Sequence, residues 1–276
     1  MIEVILDKTF INNFGDITSD RGRSIDKILL NENNIFIINA SLLKYIEEHI
    51  NINYKDKWEN YFTYLSDNNH LISSNTDTLD SNIIFNEAPK QYDYSIILSD
   101  SDSDSDNINT CNISINTINN TLFKELLENG KCTFRNTNFN TQDEIKLVFE
   151  KLFYCSKTTH RIIIIARYNH FDCDIINILK SKFNKKTFWT TYKGSNDPST
   201  NLTLLRQQLG NSLLLLTGNN EQIHERKLII GNLIVEFDDD FNKITYDCDT
   251  WMCHCSINKD LANTLRSKQS SLRRIS

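Results

Sequence analysis

Short apolar runs that alternate with amphipathic helices, in two successive series, constrain this chain more than any other feature. In the first series, EVILD (3–7) is an apolar run ending in an acid, and RSIDKILLN (23–31) spaces Ile25, Ile28 and Leu29 as a helix does. NIFIINA (34–40) has strand character, and SLLKYIEEHI (41–50) follows as a helix with Ser41 in the N-cap position. DKWENYFTYLSD (56–67) places Trp58, Tyr61, Phe62 and Leu65 on one helical face. YSIIL (94–98) is a strand that runs into aspartates at every second position, Asp100, Asp102, Asp104 and Asp106. CNISIN (111–116) predicts a further strand, and INNTLFKELLENG (118–130) a helix stopped by Gly130. Alternation of this kind predicts a mostly parallel sheet whose functional edge lies at the carboxyl ends of its strands. Asp7 and Asp100 both stand at such an end.

After residue 131 the pattern restarts. Helices are expected over 143–156, 174–183 and 201–209, and strands over 160–169, 186–193 and 212–216. HERKLIIGN and LIVEFDDDF read as a hairpin, and KDLANTLRSKQ as the last helix. The chain therefore divides in the polar stretch between 130 and 140, into an α/β domain of residues 1–132 and a second of residues 140–276. The first is expected to hold a parallel sheet with helices, the second a mixed sheet with helices.

Composition excludes some classes. Hydrophobic residues at 39% and aromatics at 10% suffice for packed cores. A net charge of −6 argues against a generally basic nucleic-acid coat protein, though not against a local basic groove. The seven cysteines are irregularly spread, the amino terminus lacks the features of a signal peptide, and no apolar run approaches the roughly 20 residues of a membrane span. These point to a cytoplasmic protein with mostly free thiols.

The acids of the first half suggest metal chemistry. Hydrolysis of a phosphodiester needs several carboxylates converging on Mg²⁺ or Mn²⁺, and Asp7, Glu47 or Glu48, Asp100 and Asp102 are the candidates. Each has a plainer alternative: an acid after a strand as a turn or N-cap residue, Glu47 and Glu48 as a solvated helix face, Asp104 and Asp106 as loop. An EF-hand is excluded on spacing, since counting from Asp100 puts Ser105 at position six and Cys111 at position twelve. The order of VILDKTFI, a glutamate on a helix and an acid after an apolar strand resembles the PIN-domain ribonucleases over about residues 1 to 130. That resemblance implies a metal site of Asp7, Glu48, Asp100 and Asp102 cleaving RNA in preference to DNA. One departure is that the segment before the last acidic strand offers Asn86 and Glu87 where the family has an aspartate.

In the second half the informative stretch is residues 219–255. His224 and Arg226 are separated by one residue, which on a strand points both to the same side. The spacing is that of the His-x-Lys of phospholipase D sites, with Gly231 where those sites have an aspartate. Ile223-His224-Glu225-Arg226, the apolar Leu233–Phe237, Asp240-Phe241 and Cys253-His254 together resemble the phospholipase D-like C-terminal domain of MIT-domain proteins over about residues 140 to 270. This implies binding of a phosphate or a partner's carboxylate, membrane or partner docking, and a homodimer, ahead of hydrolysis through His224. The plainer alternative is that His224 and Arg226 tie the hairpin to Glu225 or to Asp238-Asp239-Asp240. Arg161 and Arg167, with His160 and His170, are a further candidate basic patch. Cys248 with Cys253-His254-Cys255 lacks the paired Cys-x₂-Cys spacing of a zinc site.

The leading expectation is thus a metal-dependent nuclease with a phosphate- or partner-binding second domain, an architecture that suits a toxin or defence effector. A non-enzymatic adaptor and a His-dependent phosphodiesterase are the alternatives.

Overall fold

A computed structural model describes residues 1–80, 83, 87, 90–99, 121–157, 159–166, 172–191, 202–219, 223 and 225–275. The chain forms two compact units, Met1–Cys132 and Thr133–Ser276. Both are of the α/β class; among the described residues the first has a parallel sheet of four strands and the second a mixed sheet of eight.

In the first unit, β1 (Ile2–Leu6), β2 (Asn34–Ile38), β3 (Leu71–Ser73) and β4 (Ser95–Leu98) lie in the order β3-β2-β1-β4, all parallel. All four residues of β4 are buried and only one of the five in β1 and in β2 is not, as expected of parallel strands covered on both faces. Helices α1 (Asp20–Leu29), α2 (Ala40–His49), α3 (Lys55–Asp67) and α4 (Thr121–Asn129) complete the unit. Ser19 caps α1, accepting a 3.0 Å bond from the Gly22 N–H. The cap of α2 is Asn39 rather than Ser41, its Oδ1 accepting from the Leu42 N–H at 2.7 Å. Gly130 ends α4 at φ +69°, where a side chain is disfavoured. The expected strand at 111–116 lies outside the described residues.

The second unit begins in β5 (Lys131–Arg135), in a stretch the sequence reading left without structure. It continues through α5 (Gln142–Tyr154), β6 (Ile162–Ile165), α6 (Asp174–Lys182), β7 (Lys186–Thr191), α7 (Leu202–Leu209) and β8 (Leu213–Gly218). The hairpin of β9 (Arg226–Ile230) and β10 (Leu233–Phe237) follows, then β11 (Met252–Ile257), α8 (Lys259–Ser267) and β12 (Arg273–Arg274). The sheet order is β12-β8-β7-β6-β9-β10-β11-β5. Strands β6, β7 and β8 are parallel, while β9, β10, β11 and β12 pair antiparallel. β6 is four isoleucines, all buried, and sits between β7 and β9. One face carries the core cluster of Ile163, Ile165, Trp189, Leu216, Ile229 and Ile234, closed by Ala262 and Leu265 of α8. At the other end of the sheet, Trp251 is fully buried between Phe134 and Phe139, with its indole N–H bonded to the Thr245 carbonyl at 2.7 Å.

The zinc alternative dissolves in β11. Cys253, Cys255 and Ile257 alternate inward as buried core residues while His254 faces out, so Cys-x-Cys is strand periodicity. His254 instead meets Thr133, Nδ1 to Oγ1 at 2.8 Å. None of the six described cysteines is in a disulfide; Cys111 lies outside the described residues.

Candidate functional site

In the first unit the chain steps from β1 to β2 and β3 on one side, then returns to place β4 on the other side of β1. A parallel sheet opens a crevice where its strand order reverses, outside the carboxyl ends of the two strands concerned. Here those ends are Leu6-Asp7 and Leu98-Ser99.

Asp7 extends the ladder by one residue, its N–H donating to the Leu98 carbonyl at 3.0 Å. The residue is 7% exposed, and its carboxylate caps the short 3-10 turn Lys8–Asn12. Oδ1 accepts from the Thr9 N–H at 2.9 Å and from the Thr9 hydroxyl at 2.7 Å. That hydroxyl lies 3.2 Å from the Ser99 hydroxyl, so one threonine links the acid after β1 to the residue after β4. The turn is itself pinned, because Phe10 is fully buried against Phe14 and Trp58, at ring distances of 6.1 and 5.8 Å. Trp58, expected on the apolar face of α3, thereby serves the site as well as the core.

Asp100 follows Ser99 in the chain, and both it and Asp102 lie outside the described residues. The other acid of the expected set is not brought to this edge. The end of α2 that adjoins the carboxyl ends of the strands is its amino end, and Glu48 stands in the last turn, about 12 Å further along the axis at 1.5 Å per residue. It is exposed and ion-paired with Lys44 at 3.9 Å, the solvated helix face of the plainer alternative. Glu87, noted from the sequence only as a departure, does reach the same edge. With Gln91 and Tyr92 it lines a shallow depression beside Ile5, Leu6 and Asn39, and it pairs with Lys90 at 2.9 Å. Thr9 and Ser99 were not anticipated. Their only signal is position, each hydroxyl lying within three residues of a strand's carboxyl end.

Among the described residues no three His, Cys, Asp or Glu side chains gather closely enough to hold a metal ion. The donor chemistry at the reversal point is nevertheless that of a hard cation: a buried carboxylate with hydroxyls beside it, and no soft ligand in the set described above.

The second unit has an equivalent edge at the carboxyl ends of β6, β7 and β8, where β9 starts. Arg226 opens β9 there, with His224 just before it outside the described residues. The Arg226 Nε donates to Asp240 Oδ1 in a close ion pair, with both side chains about a quarter exposed, and Nη1 reaches the Asp238 carbonyl at 3.4 Å. Lys227 is likewise engaged, bridging Glu225 and Glu236. This is the hairpin-tying arrangement, and it departs from the expected cation open to a phosphate.

Gly231 does not stand in for a missing catalytic acid. It occupies the β9–β10 turn at the opposite end of β9 from Arg226, at φ +57°, as the first position of some two-residue hairpin loops requires. A Cβ there would come within 2.8 Å of His160 Nε2, so an aspartate would have to displace that ring as well as adopt a disfavoured φ. Arg161 precedes β6 at that same far end, bonded to the Thr187 hydroxyl at 3.3 Å. By strand register it is separated from Arg226 by about 16 Å, at 3.3 Å per residue, so the two do not form one patch. Arg167 lies outside the described residues. Thiolate chemistry is disfavoured at Cys173, whose thiol burial pushes up to about 11.

No helix among the described residues is long and apolar enough to cross a membrane. No protein-family model matches the sequence, and no curated protein matches it. Solved structures match over about half of the chain. One is TrmBL2, an archaeal chromatin protein described as showing a novel mode of DNA binding (10% identity, 52% of this chain, 54% of that one, TM-score 0.32). Another is polyphosphate kinase from Porphyromonas gingivalis (13% identity, 51% of this chain, 26% of that one, TM-score 0.39). A third is Nuc from Salmonella typhimurium, a phospholipase D family member (14% identity, 52% of this chain, 97% of that one, TM-score 0.36). The match thus spans about half the length of the first and a quarter of the second. At this degree of likeness the functional reading rests on the chain's own residues.

Proposed function

We propose that the chain hydrolyses phosphodiester bonds of RNA, with the carboxyl edge of the four-stranded sheet as the reacting edge. The observation that carries this reading is the Asp7–Thr9–Ser99 link across the point where the strand order reverses, from which the chain continues directly into Asp100 and Asp102. Asp7, Asp100 and Asp102 would hold Mg²⁺ or Mn²⁺, whose chemistry there is to supply hydroxide at neutral pH and to offset charge on the phosphate. Thr9 orients the Asp7 carboxylate and fixes Oδ1 by two hydrogen bonds. Phe10 keeps the turn rigid, so the acid is held before substrate arrives. Glu48 is not among the ligands. Glu87, paired with Lys90 at the same edge, would take its place in positioning water or substrate hydroxyls.

The test is incubation of the full chain with labelled single-stranded RNA, with Mn²⁺ and with EDTA, beside Asp7→Asn. Cleavage that needs the metal and is lost in Asp7→Asn is the expected result. Absence of metal-dependent cleavage by the unaltered protein overturns the reading, and cleavage that persists in EDTA moves the chemistry to His224.

A further inference from the structure

The net charge of the whole chain is −6, yet from Leu261 to Ser276 the sequence holds Arg266, Lys268, Arg273 and Arg274 and no acid. The fold places these cations unequally. Arg266 is half-buried and turned inward, its guanidinium donating to the Gly231 carbonyl and to Asn263 Oδ1. Lys268 stands exposed in the 3-10 turn Lys268–Ser271 that follows α8, and Arg273 and Arg274 stand exposed on β12. Among the described residues β12 is the outermost strand of the sheet, with Arg273 opposite Thr217 and Arg274 opposite Leu216. Successive strand residues point to opposite faces, so the two arginines flank the margin on both sides.

This margin is an ordered surface. Leu272 packs on the core cluster beneath α8, the Leu272 N–H bonds to the Gln269 carbonyl at 3.2 Å, and the Ile275 N–H bonds to the Leu215 carbonyl at 3.0 Å. The cations are therefore carried on a fixed element. Between Lys268 and Arg274 the only large apolar side chain is Leu272, and it is turned to the core. An amphipathic element on a lipid surface buries an apolar side as well as presenting charge, and this margin presents charge, the term that dominates binding to a nucleic-acid backbone.

We propose that Lys268, Arg273 and Arg274 form a binding margin for the phosphate backbone of single-stranded RNA. The choice of RNA rests on the function proposed above; the polyanion specificity rests on the charge distribution. The plainer role of charge on an edge strand is to block pairing with another sheet, and the experiment separates the two.

Anisotropy of a fluorescein-labelled oligouridylate is measured with the full chain in EDTA, so that binding is read without cleavage, over a series of salt concentrations. Lys268→Ala/Arg273→Ala/Arg274→Ala is expected to lower the slope of log Kd against log salt by about 2, at roughly 0.7 per phosphate contact on single strands. At about 50 mM salt that corresponds to weakening on the order of a hundredfold. Arg273→Lys/Arg274→Lys is expected to retain most of the affinity, and thermal unfolding of each variant reports whether the fold is kept. Unchanged affinity and slope in a folded triple-alanine variant overturn the proposal, above all if that variant self-associates on gel filtration. Binding to phosphatidylserine vesicles but not to the oligonucleotide overturns it too. Cleavage is read in Mn²⁺ and binding in EDTA, so a triple-alanine variant that loses binding while the unaltered protein shows no metal-dependent cleavage separates the failure of the function from that of the margin.

Discussion

The carboxyl edges of the two sheets resemble each other in topology and differ in chemistry. At the edge of the four-stranded sheet a buried aspartate is held by neutral hydroxyls, Thr9 and, through it, Ser99. At the edge of the eight-stranded sheet, among the described residues, Arg226 is matched by Asp240 and Lys227 by Glu225 and Glu236. A hydroxyl that bonds a carboxylate fixes its orientation without adding charge. A guanidinium closed on a carboxylate has spent most of its charge on the fold. Strand ends alone therefore do not identify a site; what counts is which groups the fold brings against the charge delivered there.

The comparison breaks most directly at Asp7. Asp7→Asn is expected to reduce metal-dependent RNA cleavage by more than the roughly 10- to 100-fold that loss of an outer-shell group costs. Arg226→Ala is expected to leave the rate within a factor of about two; a loss as deep as that of Asp7→Asn would place the chemistry on the wrong sheet.

A smaller effect is expected at Thr9. Thr9→Val keeps the shape and the backbone N–H but removes the hydroxyl that joins Asp7 to Ser99. A reduction of about tenfold in kcat, with KM little changed, is the outcome expected of a group that positions a ligand. Full activity in this variant, measured under saturating metal, reduces the link to a simple turn cap.

For the second edge the readout is stability. Arg226→Ala leaves the Asp240 carboxylate without its guanidinium in a partly buried setting, and a loss of about 1–2 kcal/mol is expected by urea unfolding. Arg226→Lys, which keeps charge but not the fork, should recover part of it.

The smallest effect separates the units by pH. Burial raises the pKa of Glu3, with Asp93 adding to the rise against an opposing hydrogen bond from the Tyr94 N–H. A carboxyl raised on folding costs stability above its folded pKa, and that cost disappears below the unfolded value near 4.5. Glu3→Gln is therefore expected to stabilise the first unit at neutral pH by less than about 1 kcal/mol, and to have no effect in acid. For Lys227, burial pulls downward but the hydrogen bonds to Glu225 and Glu236 prevail and raise its pKa. Its contribution is complete below 10.5 and is lost as pH rises through the folded value, so alkaline titration should loosen the second unit through this group. The indole fluorescence of Trp58 in one unit and of Trp189 and Trp251 in the other reports each arm.

Much of the fold is legible in local pattern. The buried runs of β1, β2, β4, β6 and β8 and the helical spacing of α1, α3, α5 and α8 are visible because burial on both faces, or on one helical stripe, dictates composition directly. β5 and β11 were missed. Edge and near-edge strands show only alternate residues to the core, and in β11 those residues are cysteines, which a reader takes for ligands before core. Gly231 misled for a related reason, since a motif spacing carries no information on which end of a hairpin a residue occupies.

By itself the sequence determined the α/β class, the restart after residue 131 and the placement of Asp7 at the end of a strand, because each follows from periodicity and short-range order. Only the tertiary structure decided which acids share an edge and which charges are already neutralised. Glu48 and Arg161 stand away from the groups they were matched with, Glu87 stands near, and Arg226 is closed by Asp240. These outcomes depend on strand order, helix direction and register, which are set by long-range packing and leave no mark on the spacing of charged residues along the chain.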